Sequence, residues 1–126
     1  MTSIAPPARP IDEDALSYVA AVLLGFSFGG FFDGILFHQI LQWHHLLSRV
    51  APFADDLRVQ ILADGLFHAA MYGLAALGLA LLIARVAHGR RPGTRRFIAW
   101  FMIGFGAWQI VDVVAMHWIL GLHNIR

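Results

Sequence analysis

From Ala15 to Leu122 the chain is apolar over long stretches, and its polar positions gather at a few places instead of alternating with the apolar ones. Half-buried strands alternate with a period of two, so continuous runs of this length read as helices. Tyr18 to Phe37 is a twenty-residue, mostly apolar run, about 30 Å long as a helix and enough to cross the hydrocarbon of a bilayer. A second apolar body, Gly65 to Ala84, lies in a helix expected to start near Asp55 or Asp56, and a third span begins near Arg96. Two connectors separate them, RVAPFADD with Pro52 and HGRRPGTRR with its Gly and Pro breakers. The pattern predicts an all-α integral membrane protein, a bundle of three transmembrane helices at about 15–48, 55–87 and 96–122.

The opening MTSIAPPARPIDE is Pro-rich and polar, with no apolar face to bury. Residues 1–14 are expected to form a flexible polar tail and 15–126 a single helical transmembrane domain, with Asp14 or Ser17 capping the first helix. The tail has no basic n-region and no small-residue cleavage site, so a removable signal peptide is not expected.

Composition strengthens this picture. Of 126 residues 59% are hydrophobic and only 13% charged, too few polar groups to cover a soluble domain of this size. The lipid bilayer is the expected partner. The absence of cysteine excludes disulfides and thiolate metal sites and leaves His and carboxylate as ligands. The net charge of +1 conceals an asymmetry: all nine basic residues are Arg, and five of them lie between Arg85 and Arg96 with no acid. That cluster is short, adjoins apolar spans and carries no nucleic-acid motif, so no nucleic-acid partner is expected. It marks the second connector as cytoplasmic. In the first connector Arg49 and Arg58 are offset by Asp55 and Asp56, which places it outside. The expectation is a multi-pass protein of the inner (cytoplasmic) membrane with its N-terminus in the cytoplasm.

That orientation sorts the histidines. His38, His44 and His45 fall at the outer end of the first helix, His68 just inside the outer end of the second, and His117 and His123 at the outer end of the third; only His88 is cytoplasmic. Each helix also carries an Asp: Asp33, Asp64 and Asp112. Asp64 and His68, four apart, share a helical face. His38, Gln42 and His45 form one stripe, and Asp33, Phe37 and His44 another about 120° away. At least two helices must therefore supply any site. His38, His68 and His117 are expected in one layer, with Asp33 and Asp112 beneath and Asp64 near the lip.

A carboxylate at that depth costs on the order of 3 kcal/mol unless it is paired or neutralised. A bound metal ion would resolve this, because neutral imidazoles coordinate it while carboxylates complete or orient the ligand set. Such donors suit copper, zinc or iron, whereas magnesium and calcium prefer oxygen cages. The candidate metal residues are His38, His68 and His117 first, then Asp33, Asp64 and Asp112, with His44, His45 and His123 as a second site or entry path. The plainer alternative is that Asp33 and Asp112 bond neighbouring helices and the outermost histidines anchor helix ends. Gly25, Gly29 and Gly30, and likewise Gly104 and Gly106, would permit close helix approach.

The segments FFDGILFHQILQWHH, ADGLFH and HWILGLHNIR resemble a bacterial predicted-membrane-protein family, domain of unknown function 2243, over nearly all of residues 20–126. The family's pattern matches at Asp33, His38, Gln42, His44, His45, Asp64, His68, His117 and His123. The resemblance implies a link to copper or respiratory oxidase assembly, since family members are often encoded beside such genes. Two departures stand out. Trp118 and Asn124 occupy positions where the family usually pairs histidines, and family members tend to continue into a fourth span. A homo-oligomer or a partner membrane subunit would be one way to cover the open face.

The leading expectation is a small membrane protein that binds a transition metal at its outer face, for handling, delivery or sensing. Its affinity would fall below a pH of about 6.5, where histidine takes up a proton. The alternatives are a metalloenzyme on the same cluster, either a dinuclear oxidase or a metal-assisted hydrolase, a haem-binding electron-transfer protein, and a structural role without metal.

Overall fold

The computed structural model describes residues 15–42, 47 and 50–114. Among these the regular structure is entirely helical. Helix α1 (Ala15–Phe32) continues without a break into a π-helical segment, Asp33–Ile40; α2 spans Leu57–Ala87, and α3 spans Thr94–Val111. The three apolar stretches Ala15–Ile40, Leu57–Ala87 and Thr94–Val114 are each long and apolar enough to cross a membrane. Leu62, Leu66, Tyr72 and Ile83 of α2 are each more than half exposed, an arrangement suited to lipid and costly in water.

The helix boundaries have local causes. Asp56 caps α2: its carboxylate accepts hydrogen bonds from the N–H groups of Arg58 and Val59 at 3.0 and 3.2 Å. The Gln60 side chain ties the connector to this cap, donating to the carbonyls of Phe53 and Ala54. At the other end Gly89 takes φ +73°. The N–H of Gly89 reaches the carbonyl of Val86, and that of Arg90 reaches Arg85, the paired bonds of a Schellman ending. His88 also donates through Nδ1 to the Ala84 carbonyl at 2.7 Å, so it serves the helix end.

The first span is shorter than the expected 15–48. It ends at Ile40: Leu41 donates back to the Leu36 carbonyl, and Gln42 turns to φ +50°. Gln42 thus leaves the helix and does not continue a stripe from His38. Helix α3 begins two residues ahead of the expected Arg96, at Thr94, and its winding loosens to π over 112–114.

Helix α1 lies between the other two, and the backbones of α2 and α3 do not approach each other. Small residues on α1 allow this. A β-carbon on Gly25 would run into the carbonyl of Phe101, and one on Gly104 would run into the carbonyl of Val22, so α1 and α3 touch backbone to backbone. Gly106, by contrast, faces open space and takes no part in the crossing. Toward α2, Gly30 receives the Met71 thioether and Gly34 receives the His68 ring. Trp108 bridges the two outer helices, packing on Phe67 with ring centres 5.1 Å apart and edge-on to Phe26 at 5.2 Å.

Candidate functional site

The polar cluster sits where α1 loosens. In α-helical winding residues five apart are about 140° apart around the axis, which would turn Asp33 and His38 onto different faces. In π winding the hydrogen bond joins i to i+5, so these two residues stack. Asp33 opens the π segment and His38 lies one π turn on, both buried. His38 Nε2 stands 3.7 Å from Asp33 Oδ2, too long for a hydrogen bond and within ion-pair range.

The other side of the His38 ring meets α2. Its Nδ1 lies 3.1 Å from Asp64 Oδ1, and both side chains are 1% exposed. The Asp64 carboxylate accepts, so Nδ1 carries a proton, and Nε2 is the nitrogen that faces Asp33. His68, one turn along α2, donates its own Nδ1–H to the main-chain carbonyl of Asp64 at 2.7 Å. A carbonyl only accepts, so this ring too has its proton on Nδ1 and its lone pair on Nε2. One residue, Asp64, therefore accepts from Nδ1 of both imidazoles, through its side chain for His38 and through its backbone for His68.

These contacts form a ladder between antiparallel helices: His38 faces Asp64, Gly34 faces His68, and Gly30 faces Met71. The expected single layer of His38 and His68 is in fact a step, with His68 one turn deeper. Asp64 and His68 share a helical face as expected, and the Asp64 carboxylate reaches His38 while its carbonyl receives His68. Asp112 is buried at the end of α3. Gly29 packs on Trp108, and continuing that register by one turn sets Asp112 level with Asp33.

Among the described residues no three His or carboxylate side chains surround one point closely enough to hold a metal ion. His44, His45, His117 and His123 lie outside the described residues. Sequence reasoning missed Gly34, whose lack of a side chain makes room for the His68 ring. The signal was available, because GFFDG places Gly30 and Gly34 four apart, directly after the GFSFG that seats α3.

The family model described as Predicted membrane protein (DUF2243) matches residues 20–126. The chain belongs to this family. No curated protein and no solved structure matches it. The DUF2243 match takes in α1 from Ala20 onward, the π segment, α2, α3 and all nine candidate residues. In this DUF2243 protein, an imidazole with a carboxylate at each ring nitrogen can present Nε2 to a cation beside Asp33 or pass a proton between the two acids. The chemistry available is that of nitrogen and oxygen donors, without thiolate.

Proposed function

We propose that the protein binds a transition metal ion, copper, zinc or iron, in the half of the membrane that holds the His38 cluster. The observation that carries this is the double role of Asp64. It holds both rings with Nδ1 protonated and Nε2 as the donor nitrogen, the arrangement that orients histidine ligands in metal sites. Two ligands on a tetrahedral ion with bonds of about 2.05 Å stand roughly 3.3 Å apart. The 3.7 Å between His38 Nε2 and Asp33 Oδ2 is a few tenths of an ångström from that separation. His38 and Asp33 would bind the ion, Asp64 would orient His38, and His68 presents a further Nε2 one turn away, beside Gly34. His117 is the further donor suggested by the sequence. The absence of thiolate and the presence of imidazole favour copper, zinc or iron over magnesium and calcium. The task that suits such a site is handling or delivery of the ion at the outer face of the inner membrane. Binding weakens on acidification, because an imidazole must be neutral to coordinate.

Elemental analysis of the detergent-purified protein tests this against a variant carrying His38→Ala and His68→Ala. Near-stoichiometric copper, zinc or iron in the parent and its loss in the variant are expected. Equal metal in both would end the proposal. A visible spectrum of the same sample separates haem from a simple ion, since haem gives an intense Soret band.

A further inference from the structure

The gap left between α2 and α3 is a furrow floored by α1. Its floor carries Leu24 and Phe28, its α2 wall Tyr72 and Leu79, and its α3 wall Phe101 and Phe105. Two cavities of about 500 and 550 Å³ follow each other along this side of the bundle and share Phe28 and Tyr72 as lining residues. From Leu24 to Leu36 the floor runs roughly 18 Å at the helical rise, and Leu24 itself lies roughly 14 Å from the start of α1 at Ala15. The inner cavity, between Leu24, Leu79 and Phe97, is the one within an acyl chain's length of the α2–α3 end.

The connector that joins α2 to α3 closes the same end of the molecule as Phe97, which lines the inner half of the furrow. It supplies Arg85, Arg90, Arg91, Arg95 and Arg96 with no acid between them. Asp12, Glu13 and Asp14 precede α1 in sequence, which still leaves the arginines in excess. Arg91 and Arg95 are exposed, at the level where lipid headgroups meet a spanning helix. Basic residues between helices at a membrane edge, above a slot for a chain, are the elements that recognise an anionic lipid.

We propose that this furrow is a binding site for an anionic phospholipid, with one acyl chain along Leu24, Phe28 and Tyr72 and the phosphate at the exposed Arg91 and Arg95 of the α2–α3 connector and the start of α3; Arg85, Arg90 and Arg96 have interactions within the protein. The site is separate from the His38 cluster and does not depend on metal binding. A neutral lipid fills the furrow with the same tail but gains nothing from the arginines. Each arginine near a headgroup is worth about a fivefold preference, so Arg91 and Arg95 together confer roughly 30-fold.

The test is native mass spectrometry of the full chain released from mixed micelles holding equal amounts of phosphatidylglycerol and phosphatidylcholine with matched chains. The parent should retain phosphatidylglycerol roughly 30-fold over phosphatidylcholine. Arg91→Gln with Arg95→Gln should bring that ratio near unity while lipid stays bound. Ala75→Phe, which fills the inner half of the furrow, should lose lipid of both kinds. The proposal is overturned by a parent ratio near unity, or by undiminished lipid on Ala75→Phe. It is equally overturned by a parent dimer that Ala75→Phe converts to monomer, for then the furrow seats a second copy. Should Ala75→Phe fail to fold, the arginine pair, which leaves every furrow contact in place, decides alone.

Discussion

Substituting Gly34 by alanine puts a methyl group where the His68 ring already sits. An ideal β-carbon there stands 2.6 Å from Nε2 and 2.7 Å from Cε1 of His68, with Phe67 Cε1 at 3.1 Å. Ordinary contact begins near 3.4 Å, so the ring must retreat by about 0.8 Å, the difference between 3.4 and 2.6. It is not free to do so, because the 2.7 Å bond from Nδ1 to the Asp64 carbonyl tethers it. Either that bond is lost or the π segment backs away from α2, which pulls His38 from Asp64. Overpacking of this kind costs about 1–3 kcal/mol, and a forfeited hydrogen bond about 1 kcal/mol more. The expected loss is therefore roughly 2–4 kcal/mol. Gly73→Ala is the matched control: its β-carbon meets nothing within 4 Å, so only the helix preference of alanine acts, a gain of up to about 1 kcal/mol. Unfolding in detergent, followed by tryptophan fluorescence, measures both. A double-mutant cycle with His68→Ala locates the cause, since removing the ring should return at least about 1 kcal/mol to the Gly34→Ala chain. If Gly34→Ala is as stable as Gly73→Ala, or the cycle shows no coupling, the ladder of contacts is wrong.

Three further outcomes are expected. Asp64→Asn keeps the shape of the side chain but weakens its hold on His38, and should lower metal affinity about 10–100-fold without abolishing binding; titration with a competing chelator reads this, and unchanged affinity would remove Asp64 from its orienting role. Deleting Ile35 should convert the five-residue spacing of Asp33 and His38 to four, which α-helical winding also stacks. Metal content is then expected to survive that deletion and to be lost on deleting Val22 inside α1; loss in both cases would contradict the stacking argument. The arginine-rich connector is expected in the cytoplasm and the 50–56 connector outside. The chain has no cysteine of its own. A single Ala54→Cys in spheroplasts should therefore react with a membrane-impermeant maleimide and a single Thr94→Cys should not, and the reverse pattern would invert the orientation.

The spans were legible because their signal is coarse: runs of eighteen or more apolar residues admit few readings, and Pro52, Gly89 and Pro92 punctuate them. The Asp56 cap was legible for the same reason, a short acidic residue just ahead of an apolar helix. At the site the residue types were legible and their pairing was not. His38 bonds to a carboxylate 26 residues away on an antiparallel helix, a partner that spacing along one helix cannot reveal. The assignment of faces failed at a definable place. A step of about 100° per residue was carried through 33–40, and there the chain is wound more loosely. Composition does not announce such a change, because DGILFHQI suits an α-helix as well. Tertiary contact supplies the reason instead. Gly34 and His38 must both face α2 to meet His68 and Asp64, and α winding satisfies that much alone. Asp33 would then point about 140° away from His38, toward lipid or α3, with a carboxylate to neutralise. The π turn rotates it back beneath the imidazole, so the irregular winding is the local cost of placing a second acid beside a buried histidine.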